Sequence, residues 1–417
     1  VGNQAVSVPP LGLAQVVNLP VYEVVGTPSP DRNDRVEQLA ALGFTWANLE
    51  DEAYWIDQLV VMQRTAYEEL LHAAGALWDV FDKAARFVKG NRELYEQLCI
   101  PEVLWDGLDR LEPNEPGLIS RYARFDFAVN QEGSIKLLEL NADTPTGYVE
   151  ASIATPWLSE QYGLASPNIG MKEWIRQAWE AEAPDYAACT SYGHHVEDTG
   201  TIDALVAHSG RNITCIDCLD LWIEEGIVKV GEKDTIARMF ALYPKEWMGI
   251  DEGGEALAYS VEEQFVQLFN PLHAVILQSK GLQAIIWELH AQQTDFFTEA
   301  EHLAIQTYML PTYMAPAFEG DYVSKAMFGR EGGSVELYNA NGELESKDEA
   351  GFDTSVFFSR VFQQRADLPK LDFENGEKYL LTGLFVLNGV PCGLLGRAGG
   401  IITGNSSHFV AIGVNAS

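Results

Sequence analysis

Between Arg124 and Asp143 the chain reads RFDFAVNQEGSIKLLELNAD, and no other stretch limits the fold as much, because it alternates like a hairpin and gathers acids on one face. Asn130 to Gly133 supplies the turn. With a loop of Gln131 to Ser134, pairing about its centre sets Asp126 opposite Glu139 and Arg124 opposite Asn141. Phe125, Phe127, Leu138 and Leu140 then form the core face, while Ile135, Leu137, Glu139 and Asn141 share the other face with Arg124, Asp126 and Ala128. Like charges opposed across a ladder repel, so the polar face is either a solvated surface or a cation site. Mg²⁺ favours one or two carboxylates, an amide oxygen and substrate phosphates, which Asp126, Glu139 and Asn141 can offer. A one-residue slip in register would dissolve the pairing.

At 417 residues the chain is too long for one small core, and two or three subdomains are expected. A hydrophobic content of 47% places it among folded globular proteins. The formal charge of −34 argues against nucleic acid or an anionic membrane as partner, since both require basic patches. A cationic small molecule such as a polyamine would be attracted, although an acidic surface also serves solubility alone. No apolar run reaches the roughly 18 to 20 residues that span a bilayer, and the N-terminus lacks the pattern of a signal peptide. A soluble, cytoplasmic protein is expected. Cys99, Cys189, Cys215, Cys218 and Cys392 form no disulfide framework, and Cys215-Ile-Asp-Cys218 lacks the second pair that a structural zinc site needs.

Residues 1 to about 41 read as an irregular, Pro-containing arm. From Asp51 to about Arg110 the pattern is helical, with Tyr54, Leu59, Val60, Met62, Tyr67, Leu70 and Leu71 near a 3.6 period. The hairpin occupies a region of 116–183, a small α/β unit is expected over 184–250, and 251–417 runs from helices into strands and glycine loops. The fold class predicted is α+β, with an antiparallel C-terminal half.

A second constellation lies in that half. Tyr322-Val-Ser-Lys-Ala-Met-Phe-Gly-Arg-Glu-Gly-Gly-Ser-Val-Glu-Leu-Tyr338 reads as strand, glycine-rich loop, strand. Gly329, Gly332 and Gly333 allow consecutive backbone N–H groups to point at one phosphate, and Lys325 can add charge to it. Alone, such a loop is more often just a tight turn, and it is not a Walker loop. Together the two constellations describe binding of a Mg²⁺-nucleotide. Arg124 would then face the transferring phosphoryl group, or else form a salt bridge with Asp126 or Glu139.

At these residues the sequence resembles the glutathionylspermidine synthase family of ATP-grasp carboxylate-amine ligases, from about Leu42 to Val410. The matching pieces include Ile100-Pro-Glu-Val-Leu-Trp105, Arg124-Phe-Asp-Phe127, Glu139-Leu-Asn-Ala-Asp-Thr-Pro-Thr146, Leu242-Tyr-Pro-Lys-Glu-Trp-Met248, Gln278-Ser-Lys280, Gly329-Arg-Glu-Gly332, Phe362-Gln363 and Ile401-Ile-Thr-Gly-Asn405. The resemblance implies an ATP-grasp fold over 42–417, with Asp126, Glu139 and Asn141 as Mg²⁺ ligands and Arg124 steadying the phosphoryl group. It implies that Lys280, Lys325, Gly329, Gly332 and Gly333 hold ATP and that Gln363 lies near the adenine edge. Thr144, Thr146, Glu246 and Arg397 match positions facing the substrates, with turn chemistry and capping as the alternative for the threonines and Glu246.

The implied reaction has two steps: ATP phosphorylates a carboxylate, and an amine displaces phosphate to leave an amide. The acid would be glutathione or another peptide, and the amine a polyamine or similar cation. About 40 residues precede the matching region, so the resemblance is to the synthetase without the family's amidase domain, and no hydrolase activity is expected. Arg397 is followed by Ala-Gly-Gly where relatives place an acid. Two other readings stay open: an ATP-binding sensor or partner-binding module without ligase chemistry, and a zinc or redox module on Cys215 and Cys218.

Overall fold

The protein is described here by a computed structural model covering residues 20–49, 52–113, 117–182, 186–232, 234–330, 332–348 and 354–415. Its central feature is an eight-stranded sheet. In spatial order its strands are Tyr22–Val25, Trp55–Met62, His408–Val414, Val390–Gly399, Gly376–Leu387, Tyr122–Val129 and Ile135–Asn141, with Lys370–Phe373 also paired to Gly376–Leu387. All neighbours are antiparallel except His408–Val414 on Trp55–Met62.

Both faces of this sheet are covered. Ile56, Val60 and Met62 enter one core with Phe125 and the helix Arg64–Val88, whereas Trp55, Leu59 and Val61 enter a second core on the opposite face. A strand that is apolar on both faces loses its period of two and resembles a buried helix segment. That is why Trp55–Met62, in which every residue is buried, is a strand where a helical pattern was expected. The helical reading holds from Arg64 onward. There Leu70, Ala74, Leu77, Phe81, Ala84 and Val88 form a 25-residue amphipathic helix that ends before Gly90 at φ 81°.

The N-terminal arm also differs from expectation over its described part. Tyr22–Val25 is an edge strand and Arg32–Ala41 a helix, anchored by ion pairing of Arg35 with the buried Asp57. Residues 1–19 lie outside the described residues.

Two smaller sheets flank the large one. A parallel four-stranded sheet, in the order Gln267–Leu268, Arg238–Ala241, Ala187–Ser191, Ile213–Asp217, packs with helices Met171–Glu182 and Val196–Ser209. An antiparallel five-stranded sheet, in the order Thr312–Tyr313, Arg360–Gln364, Tyr322–Ala326, Glu336–Tyr338, Leu344–Lys347, faces the acid hairpin. The architecture is therefore mixed α and β. Among the described residues no helix is long and apolar enough to cross a membrane.

Candidate functional site

The hairpin forms, with Asp126 paired to Glu139 and Arg124 to Asn141. Nearer the turn the register differs by one residue: Phe127 pairs with Leu137, and Leu138 is the extra residue of a β-bulge. The assignment of faces changes accordingly. Ile135 and Leu137 join the core, while Leu138 turns toward a cavity and its freed carbonyl accepts from Lys325 Nζ at 3.0 Å. The bulge lets one strand serve the core at one end and a site at the other.

The polar end of the hairpin is closely bonded. Arg124 donates through Nε and Nη2 to the two oxygens of Asp126 at 2.6 and 2.9 Å, and through Nη1 to the Thr146 carbonyl at 2.6 Å. Asn141 Nδ2 reaches Asp126 at 3.1 Å and Glu139 at 3.3 Å. Gly383, on the neighbouring strand, makes room: a Cβ there would meet Arg124 Cδ at 3.0 Å and Asp126 Oδ1 at 3.3 Å. The salt bridge of Arg124 with Asp126 is thus present, and it lies in the same cavity as Glu139, Asn141 and Arg397.

Two lysines face the acid end of the hairpin. Lys280 Nζ lies 3.3 Å from Glu139 and donates to the Gly329 carbonyl at 2.7 Å. Lys325, on the strand Tyr322–Ala326, donates to Gln363 Oε1 at 2.8 Å, and Gln363 Nε2 in turn donates to Gln283 at 3.0 Å. Burial pushes the Lys325 ammonium down to about 8, opposed by the nearby Glu139 carboxylate. Burial would raise the Glu139 carboxyl, but Lys280, Lys325 and the Asn141 amide hold it below the usual range.

Glu139, Lys280 and Lys325 line one cavity with Gly329, Gly332, Gly333 and Gln363, and with apolar walls from Val323, Leu337 and Leu381. Its mixture of apolar walls and a few convergent charges suits a small-molecule ligand. The expected amide nest is only partly available: the Gly333 N–H donates to the Arg330 carbonyl at 2.8 Å within the turn. Gly332, at φ 73°, packs so near the Thr403 carbonyl that a Cβ would stand 2.7 Å from it. The side-chain amide of Gln363 faces Lys325, Gln283 and Thr312 through its hydrogen bonds.

A second cavity adjoins the first through Glu139 and Gly332, and holds Arg124, Asp126, Asn141, Thr144, Thr146 and Arg397. Arg330, which carried no signal apart from its place in the glycine loop, crosses into it. It donates to Thr144 Oγ1 at 2.8 Å and to Glu246 Oε1 at 2.8 and 3.2 Å, so Glu246 reaches the site through this arginine. Arg397 Nη2 donates to the Gly404 carbonyl at 2.9 Å. Six cations, Arg124, Lys280, Lys325, Arg330, Arg365 and Arg397, therefore meet four acids, Asp126, Glu139, Asp198 and Glu246. In a chain of net charge −34 this local excess of positive charge favours a polyanion.

The cleft continues past Arg124 and Thr146 into an acidic chamber lined by Glu52, Tyr54, Glu150, His195, Glu197 and Arg397. Glu150, only 2% exposed, accepts from Trp46 Nε1 at 2.8 Å and Tyr54 Oη at 3.1 Å through Oε1, while Oε2 is buried without a partner. Burial pushes its carboxyl upward. Sequence reasoning passed it over because its partners lie 96 and 104 residues away. The cysteine pair lies elsewhere: Cys215 is exposed, Cys218 half-buried and both are free thiols, and among the described residues no three His, Cys, Asp or Glu side chains cluster as a metal centre.

A mixed α and β protein with an acid hairpin facing a lysine and glycine loop is thus defined, and comparison with known proteins places it. The model of the glutathionylspermidine synthase preATP-grasp family matches residues 27–415, and the chain belongs to that family. A protein of Haemophilus influenzae provisionally named an acid–amine ligase is 28% identical over 421 residues, spanning 91% of this chain and 97% of its own. Among solved structures, a provisionally assigned gamma-glutamylcysteine synthetase from Methylobacillus flagellatus is similar with a TM-score of 0.45 and 11% identity, over 81% of this chain and 87% of that one.

Proposed function

We propose that this protein is an ATP- and Mg²⁺-dependent ligase of the ATP-grasp type that joins a carboxylate to an amine through an acyl phosphate. The observation that carries the reading is the convergence of Asp126, Glu139 and Asn141 with Lys280 and Lys325, from segments over 130 residues apart, on adjoining cavities. The donor set fits Mg²⁺: two carboxylates and an amide whose oxygen becomes available if the amide turns over. The ion, when bound, would neutralise charge on the ATP phosphates.

The chain's own residues would do the rest. Lys280 and Lys325 hold phosphate oxygens, and Arg124, fixed by Asp126, presents Nη1 and Nη2 where charge develops on the transferred group. The substrate carboxylate would lie in the second cavity between Thr144, Thr146, Arg330 and Arg397. Its oxygen attacks the γ-phosphorus as ADP leaves. The amine nitrogen then attacks the acyl carbon, phosphate departs, and the amine's proton passes to solvent or to a nearby base. The chamber offers a cationic amine the carboxylates of Glu52, Glu150 and Glu197.

The test is ADP release with Mg²⁺, ATP, glutathione and spermidine, extended to a panel of peptide acids and amines, with the amide product identified by mass spectrometry. No turnover with any pair would sink the ligase reading. Tight Mg²⁺-ATP binding without ADP release, lost in Asp126→Ala, would favour the silent ATP-binding module.

Glu150→Gln separates the amine role from a structural one. Because burial raises the Glu150 carboxyl in the fold, its ionised form opposes folding, and stability is lost as pH rises through the folded value. The variant should match wild type in thermal stability below about pH 4, where the unfolded carboxyl is also protonated. At pH 8 it should be the more stable of the two proteins. The same variant should raise KM for the amine by about tenfold or more with Mg²⁺-ATP affinity unchanged. An unaltered amine KM would remove Glu150 from the amine site.

A further inference from the structure

Asp143 and Lys245 have no place in the chemistry above, yet they are among the most buried charges of the molecule, at 0% and 3% exposed. The Asp143 carboxylate accepts from the Lys245 backbone N–H at 2.9 Å and also from its ammonium. Asp143 is itself held on two further sides: its N–H donates to Gln278 Oε1 at 3.2 Å, and its carbonyl accepts from Asn270 Nδ2 at 2.6 Å. It therefore follows the strand that carries Glu139 and Asn141 with little freedom to move. Lys245 opens the 3₁₀ turn Lys245–Gly249, which follows the strand Arg238–Ala241 of the parallel sheet.

The neighbouring residues give the pair its meaning. Thr144 follows Asp143, Glu246 follows Lys245, and Arg330 of the glycine-rich loop bonds to both Thr144 and Glu246. Two dipeptides thus lie side by side, with their first members tied to each other and their second members sharing one guanidinium. We infer that the Asp143–Lys245 ion pair is a positioning device that sets Thr144 and Glu246 at the spacing Arg330 spans, and so latches Arg330, at the start of the glycine-rich turn, beside the nucleotide cavity.

The choice of a buried ion pair fits that task. Such a pair adds little net stability relative to apolar packing, but any other alignment leaves a buried charge uncompensated, so it selects one register between two segments. The latch matters because the Gly329 carbonyl and the Gly332 and Gly333 backbone border the cavity with Lys280 and Lys325. The turn is also seated against Thr403 on its other side. What the cavity beside the turn would hold rests on the nucleotide reading, whereas the latch is a property of the ligand-free protein.

Hydrogen exchange tests it on the full chain. The reporters are the Gly333 and Val335 amides, bonded at 2.8 and 3.1 Å within the turn, with the hairpin ladder amides as control. In free protein Lys245→Met should exchange at the two reporters about tenfold faster than wild type while the hairpin stays unchanged. Lys245→Arg should restore slow exchange. Arg330→Gln, which opens the latch from the other end, should produce the same rise, and combining it with Lys245→Met should add nothing further. Mg²⁺-ATP affinity should fall about tenfold in Lys245→Met.

Unchanged exchange at the reporters in both single variants would overturn the inference. A rise shared equally by the hairpin in Lys245→Met, with none in Arg330→Gln, would also overturn it in favour of a purely structural pair. Should wild type bind no Mg²⁺-ATP, the nucleotide reading fails, and exchange in the free protein still decides the latch.

Discussion

Replacing Glu139 by Gln should lower the proposed Mg²⁺-dependent ADP release by about 10² to 10³ at saturating substrates, the scale expected when one preorganised electrostatic partner of a transition state is removed. Glu139 makes more than one contact at the site: it shares the Asn141 amide with Asp126, faces Lys280 at 3.3 Å and lines both adjoining cavities. Gln preserves size and hydrogen-bonding capacity, so the loss would report the charge. The check is a titration of ADP release against Mg²⁺ for both proteins. A variant whose kcat and Mg²⁺ dependence match wild type would remove Glu139 from the metal site.

Arg121→Met is the second large effect, and it falls on folding. Arg121 is fully buried at the start of the strand that carries Arg124, with its Nε bonded to the buried Glu182 of the helix Met171–Glu182 and Nη1 bonded to Asn388 at 3.0 Å. Removing the guanidinium takes its ion-pair partner from a buried carboxylate, which destabilises by about 3–5 kcal/mol. Denaturant unfolding at pH 7 should show this loss, and Arg121→Met with Glu182→Leu should recover most of it by restoring charge balance. A single variant within experimental error of wild type would show that Glu182 finds other compensation.

Much of the site was legible because it is local. Alternation from Arg124 to Asn141 placed Asp126 across from Glu139, and the glycines after Lys325 marked a loop beside a strand. The hairpin was misread only where a bulge at Leu138 intervenes. Bulges leave no signature in a run such as Ile-Lys-Leu-Leu-Glu, because either leucine can face the core. Trp55–Met62 was misread for a related reason: its two faces enter two different cores, which erases the alternation that identifies a strand.

Arg330 and Glu150 were illegible for a different reason. An arginine within a glycine loop, or a glutamate near a helix start, reads as an ordinary polar residue. The partners that give these two their positions, Thr144, Glu246, Trp46 and Tyr54, stand between 84 and 186 residues away. The sequence by itself determined which residues carry charge and where the chain turns. Only the tertiary structure decided that the acid hairpin and the lysine loop adjoin, that Leu138 leaves the core, and that Arg330 bridges Thr144 and Glu246. Local pattern governs local geometry, whereas the meeting of distant charges depends on how whole sheets and helices bury their apolar faces.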